Sequence, residues 1–139
     1  GHVIVCQPHN HEVALMGELS AQTLQARGVR GYVVDGGSRD TDLVLEQGFS
    51  VFCSFLTPSD IVARWIPHAY GEPIDIGGVT IRTGDWLLGD RDGVVIIPAE
   101  IAEEVVTKTE QVVTTESDMR RALVSGMDPV EAYLKFGKF

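Results

Sequence analysis

Three residues could act together on a small anionic substrate: Glu18, which follows Gly17 in ALMGELS, and the pair Arg39-Asp40, which follows VVDGGS. An arginine grips a carboxylate or an enolate through its planar fork. An adjacent aspartate can ligate a hard cation such as Mg²⁺, which takes carboxylates and waters. Gly17 sits where a helix should open, and amides at a helix start attract an anion that glycine lets approach closely. Glu18 then puts a negative charge beside an anion site, an arrangement that a cation between them would reconcile. Each locus taken alone leaves a plainer alternative open. Glu18 could simply complement the helix dipole. Asp40 could cap a helix, with Arg39 a surface charge.

The elements around these residues bring the two loci together. Residues 3–6 (VIVC) read as a short buried strand, and QPHNHEVALM as a loop that turns apolar. GELSAQTLQARG reads as a helix stopped by Gly28, GYVVDGG as a strand ending in a glycine turn, DTDLVLEQG as a short helix, and SVFCSF as a strand. This is the order of parallel α/β units, whose strand-to-helix turns form the edge where ligands bind. Twenty residues separate Glu18 from Arg39, about one helix plus one strand, so consecutive units set the turns side by side. Two carboxylates and one arginine then converge on a cleft suited to a 2-oxo acid. The second half reads differently: EPIDIGG, VTIRTGDWLLGD and GVVIIP suggest a second, mixed sheet. A long helix follows from Pro98 to Gly126, with Ile101, Val105, Val112 and Met119 spaced as one apolar stripe.

Bulk properties narrow the function classes. The 139 residues suffice for one domain with a hydrophobic core. A net charge of −9, from 20 acidic and 11 basic residues, argues against a nucleic-acid binder. No apolar run is long enough to span a membrane, and the opening GHVIVCQPHN lacks the layout of a signal peptide. Cys6 and Cys53 lie in apolar strands and read as reduced core thiols of a cytoplasmic protein. His9 and His11 could hold a metal or shuttle a proton but lack a third ligand, and His68 has no evident partner. Asp90, Arg91 and Asp92 read as a hairpin turn. No Walker loop, GxGxxG, CxxC or GxSxG is present.

The stretch GELSAQTLQARGVRGYVVDGGSRDTDLVLEQGFSVF resembles the RraA-like family, which includes 4-hydroxy-4-methyl-2-oxoglutarate aldolases. The family's mark is an acidic residue, twenty intervening residues and Arg-Asp, here Glu18 and Arg39-Asp40. GGVTIRTGDWLLGDRDGVVIIP and ESDMRRALVSGMDPVEAYLKFGKF are similar to the family as well. The resemblance implies an α/β/β sandwich: parallel α/β units, a second mixed sheet and a long C-terminal helix. It implies one domain over residues 1–139 that lacks a further N-terminal portion of the family. The assembly would be a homotrimer or homohexamer with sites at subunit interfaces. The implied activity is that of a divalent-metal-dependent lyase of class II aldolase type. It would cleave a 4-hydroxy-2-oxo acid to release pyruvate, decarboxylate oxaloacetate as well, and use Mg²⁺ or Mn²⁺. Carried onto this chain, Asp40 ligates the metal, Glu18 holds it through water, and Arg39 grips the substrate and stabilises the enolate. Amides around Gly17, Glu18 and Leu19 seat the carboxylate, and Glu116 from a neighbour's helix completes the outer shell. Glu18 departs from an aspartate common in aldolase members, and PHNH is not a general family feature. The competing class is a non-catalytic protein that binds and regulates a ribonuclease. The presence of all three motif residues favours the enzyme. A quinone methyltransferase is set aside, because nothing resembles a nucleotide-cofactor loop.

Overall fold

The computed structural model describes residues 1–137. Residues 1–96 form one compact unit, and a second begins at Ile97. The first unit runs β1 (His2–Cys6), β2 (Ala14–Met16), α1 (Glu18–Ala26), β3 (Val29–Ser38), α2 (Thr41–Glu46) and β4 (Ser50–Leu56). It continues with β5 (Ile74–Ile76), β6 (Val79–Ile81), β7 (Trp86–Gly89) and β8, which begins at Val94 and ends at Ile97.

The ten-residue β3 organises the parallel sheet. Along one edge its first half pairs with β1 (Ile4 with Tyr32) and its end with β2 (Met16 with Ser38). Along the other edge it pairs with β4 (Val34 with Cys53). The period-2 alternation of a strand sends Tyr32 and Val34 to one face. There they pack with Met16, Ala21 of α1, Val44 of α2 and Phe49, flanked by Cys6, Leu24, Val51 and Cys53. Burying a side chain such as Val44 or Phe49 contributes about 1.5–3 kcal/mol. Both helices end at a left-handed glycine, Gly28 after α1 and Gly48 after α2.

Asp35-Gly36-Gly37, expected as a tight turn, is instead the last stretch of β3. The glycines serve close approach rather than reversal. A Cβ on Gly37 would lie 2.7 Å from the Val13 carbonyl and 2.8 Å from the Phe55 ring, and one on Gly36 would lie 3.0 Å from Pro8. Three-residue β2 was not foreseen; it lies within the segment read as loop-like and then apolar.

The opposite face of the sheet carries β structure. Gly89 of β7 lies so close to the Phe52 ring that a Cβ would sit 2.5 Å from it. The second-half strands pair as two ribbons, β5 with β6 and β7 with β8, rather than as one continuous sheet. Asp90 to Gly93 closes the second ribbon, as the turn reading expects, with Asp90 N–H donating to the Gly93 carbonyl at 3.0 Å. Two long-range bonds tie the loops: Trp65 Nε1 donates to the Pro8 carbonyl at 2.8 Å, and Asp75 N–H to Gln7 Oε1 at 3.1 Å.

In the second unit a 3-10 turn (Ala99–Ile101) leads into α3 (Ala102–Val124), followed by α4 (Pro129–Phe136). Asp128 caps α4, accepting from the amides of Val130 and Glu131, with Pro129 in the first turn. The expected apolar stripe on α3 is buried at Met119, near the hairpin with α4, whereas Ile101 and Val112 are exposed. No helix of the described residues is long and apolar enough to cross a membrane.

Candidate active site

Because Met16 of β2 pairs with Ser38 of β3, the starts of α1 and α2 lie side by side at one sheet edge. The backbone is stitched there: Arg39 N–H donates to the Met16 carbonyl at 2.9 Å, and Thr57 N–H to the Ser38 carbonyl at 3.0 Å. Ala14 N–H donates to the Ser59 carbonyl at 2.9 Å, which adds the loop after β4 to the same edge.

Asp40 occupies the N-cap position of α2 in a left-handed conformation (φ 56°, ψ 38°), and its side chain makes no capping bond. Aspartate is among the few side chains that tolerate this region. Its carboxylate turns towards α1 instead, where Oδ2 accepts the Glu18 N–H at 3.1 Å. Oδ1 has no hydrogen-bond partner among the described residues. Gly17 makes this approach sterically feasible. A Cβ there would lie 2.7 Å from Asp40 Oδ2 and 3.1 Å from Arg39 Nε. Glu18 is half-buried, while the Leu19 side chain is exposed. With the Glu18 amide engaged by Asp40, the unpaired first-turn amides of α1 that remain for an anion are those of Leu19 and Ser20.

Arg39 lies between two carboxylates. Its Nε is 3.6 Å from Asp40 Oδ2, and its Nη1 is 2.9 Å from Asp60 Oδ2. The hydrogen bond from Arg39 holds the Asp60 carboxyl below the usual carboxylate range and raises the already high affinity of the guanidinium for its proton. Beside this pair an open cleft of about 460 Å³ is lined by residues 38–41 and 56–58.

The structure thus brings Gly17, Glu18, Arg39 and Asp40 together. Glu116 lies exposed on α3 in the second unit. His9, His11 and His68 are exposed, and His11 stands 6.4 Å from the Phe55 ring, centroid to centroid. Among the described residues no cluster of three or more His, Cys, Asp or Glu could hold a metal by itself. The donors present, Glu18 and an Asp40 with a free Oδ1, fit a cation that keeps most of its waters, as Mg²⁺ does. Asp60 was missed in the sequence. Its signal is positional: it lies just past the end of β4, the third consecutive strand to finish at this edge.

Residues 1–96 match the RraA-like family, described as Aldolase/RraA, and the chain belongs to that family. A Halalkalibacterium halodurans protein with the provisional name 4-hydroxy-4-methyl-2-oxoglutarate aldolase is 32% identical over 122 residues, covering 88% of this chain and 58% of that protein. The crystal structure of an uncharacterised Pseudomonas syringae protein superposes with a TM-score of 0.91 at 30% identity, over 96% of this chain and 63% of that one. Streptomyces coelicolor RraAS2, described as an unusual member of the RNase ES inhibitor RraA family, gives a TM-score of 0.78 at 30% identity, over 86% of this chain and 61% of that one. The mixed α/β fold with its long C-terminal helix is that of these RraA-like structures. The chain spans a little over half the length of the H. halodurans protein.

Proposed function

We propose that this chain carries the site of a divalent-metal-dependent carbon–carbon lyase that cleaves a 4-hydroxy-2-oxo acid to release pyruvate, with oxaloacetate decarboxylation as a side activity. One observation carries the reading. Asp40 stands at a helix start yet directs its carboxylate away from that helix, fixed through Oδ2 by the Glu18 amide and free at Oδ1. The aldolase name carried by relatives near 30% identity supports the same class.

Mg²⁺ or Mn²⁺, when bound, supplies a Lewis acid that polarises the substrate's keto oxygen. In this reading Asp40 and Glu18 hold it, and Glu116 of a neighbouring copy in a homotrimer or homohexamer completes the outer shell. Arg39 binds the substrate carboxylate and stabilises the negative charge that develops on the pyruvate enolate as the carbon–carbon bond breaks. The Leu19 and Ser20 amides, at the positive end of α1, share that anionic load.

The test is pyruvate release from 4-hydroxy-4-methyl-2-oxoglutarate and from oxaloacetate, with Mg²⁺ or EDTA, for the native protein and Asp40→Ala. Metal-dependent release that disappears in Asp40→Ala is the expected result. No release and no calorimetric metal binding would sink the lyase reading and favour a non-catalytic regulator of a ribonuclease, the role named for the RraA structures.

A further inference from the structure

We propose that Asp60 is a positioning residue for Arg39, and that it leaves Nη2 as the guanidinium nitrogen that meets the substrate carboxylate; this rests on the lyase reading above. An exposed arginine samples many rotamers, so a grip in one orientation requires something to fix it. Arg39 is fixed at two points, by Asp60 at Nη1 (2.9 Å) and by Asp40 near Nε (3.6 Å). That leaves Nη2 with no protein partner among the described residues. Asp60 divides its two oxygens between two tasks. Oδ1 accepts the Val62 N–H at 2.8 Å, closing an Asx-turn that holds Asp60 itself, while Oδ2 holds Arg39. The loop that bears Asp60 is in turn bonded to both strands of the site edge, through the Ser59 carbonyl to Ala14 of β2 and through the Thr57 amide to Ser38 of β3. With Oδ1 engaged by Val62 and Oδ2 by Arg39, Asp60 acts through Arg39.

The discriminating variants are Asp60→Ser and Asp60→Asn. Serine keeps an oxygen for the Val62 N–H but is too short to reach Arg39, and asparagine keeps its one carbonyl oxygen for the Val62 N–H while turning an NH₂ donor towards Arg39. Calorimetric Kd for pyruvate in Mg²⁺, and KM and kcat for pyruvate release, are measured in the native and the Arg39→Ala backgrounds. Asp60→Ser is expected to weaken pyruvate binding and raise KM about tenfold, with kcat changed less than about threefold, the scale of one oriented charge-assisted hydrogen bond. Asp60→Asn is expected to follow Asp60→Ser, since it too keeps the Val62 bond and loses the acceptor and the charge that hold Arg39. In the Arg39→Ala background Asp60→Ser has no further effect. An undiminished Asp60→Ser effect in that background would reduce Asp60 to a loop-stabilising residue and overturn the proposal, as would native-like pyruvate binding by Asp60→Ser. A native protein that neither binds pyruvate nor releases it would refute the lyase reading, and this inference with it, before any Asp60 variant is compared.

Discussion

Gly17→Ala separates the site from the fold. Gly17 has an extended backbone (φ −153°, ψ −179°) that any residue adopts, so alanine meets no backbone strain there. It meets Asp40. The new Cβ would lie 2.7 Å from Oδ2, against the roughly 3.5 Å at which such atoms rest, so the carboxylate must retreat by about 0.8 Å. That retreat stretches the bond to the Glu18 amide beyond its 3.1 Å and crowds Arg39, whose Cγ and Nε would each be 3.1 Å from the Cβ. A misplacement of about 1 Å costs on the order of 100-fold, so kcat/KM should fall about 30- to 100-fold, or roughly 2–3 kcal/mol at the transition state. Stability should move by less than about 1 kcal/mol. The lost hydrogen bond costs about that much, and replacing glycine lowers the entropy of the unfolded chain to offset it. Gly28→Ala should show the reverse pattern. Its φ of +82° strains alanine while no atom lies within 4 Å, so the protein loses about 1 kcal/mol of stability and keeps its kcat/KM. A coupled assay for pyruvate and thermal melts on both variants read the two effects. A folded Gly17→Ala protein with native kcat/KM would refute the claim that the Gly17–Asp40 approach sets the site.

Other expectations follow from single contacts. Gly37→Ala drives a Cβ to 2.7 Å from the Val13 carbonyl, and urea denaturation should show a loss of about 1–3 kcal/mol, as overpacking does. Burial raises the thiol pKa of both Cys6 and Cys53, so iodoacetamide at pH 7.5 should alkylate them more slowly than glutathione; faster labelling would contradict the packing. Asp60 should titrate below the ordinary aspartate value of about 3.9, and Arg39→Ala should raise it part of the way back, the Val62 amide still lowering it, as read by carboxyl NMR. Because its folded pKa is lowered, whatever stability the Arg39–Asp60 pair gives is present above the unfolded value and is lost as pH falls through the folded one. Asp128→Ala removes the acceptor for two α4 amides and should cost about 1 kcal/mol in a melt.

The sequence is most legible where a residue's requirement is local. The strand–helix order to Leu56 follows from apolar runs and terminal glycines, and the Gly17-Glu18 and Arg39-Asp40 loci follow from what those side chains can bind. Features that depend on another part of the chain are not legible. Three-residue β2 is a strand because the end of β3 offers it a ladder, and no period of its own announces it. Gly36 and Gly37 carry a turn signature, yet the crossing of Pro8 and the Val13 carbonyl makes them strand residues. The α3 stripe of Ile101, Val105, Val112 and Met119 has helical spacing, but spacing does not say which members are covered, and Ile101 and Val112 are exposed. Asp60 belongs to a loop of ordinary composition; its place after β4 marks it as near the edge, and its role shows only in the bond to Arg39.

The central strand has a consequence for how the first unit opens. β3 is bonded to β1 and β2 along one edge and to β4 along the other, and it ends at the residue before Arg39. Fraying of β1 or of the ribbons leaves the β3 ladder with β4 intact, whereas freeing the end of β3 requires both flanking ladders to break. Amides from Tyr32 to Ser38 should therefore be the last in this unit to exchange with deuterated solvent, at the free energy of global opening. Arg39 and Asp40 thus share the cooperativity of the sheet itself, so partial openings of the periphery should not disperse them. A ligand held there would slow exchange across the whole of β3 rather than in its own loop alone.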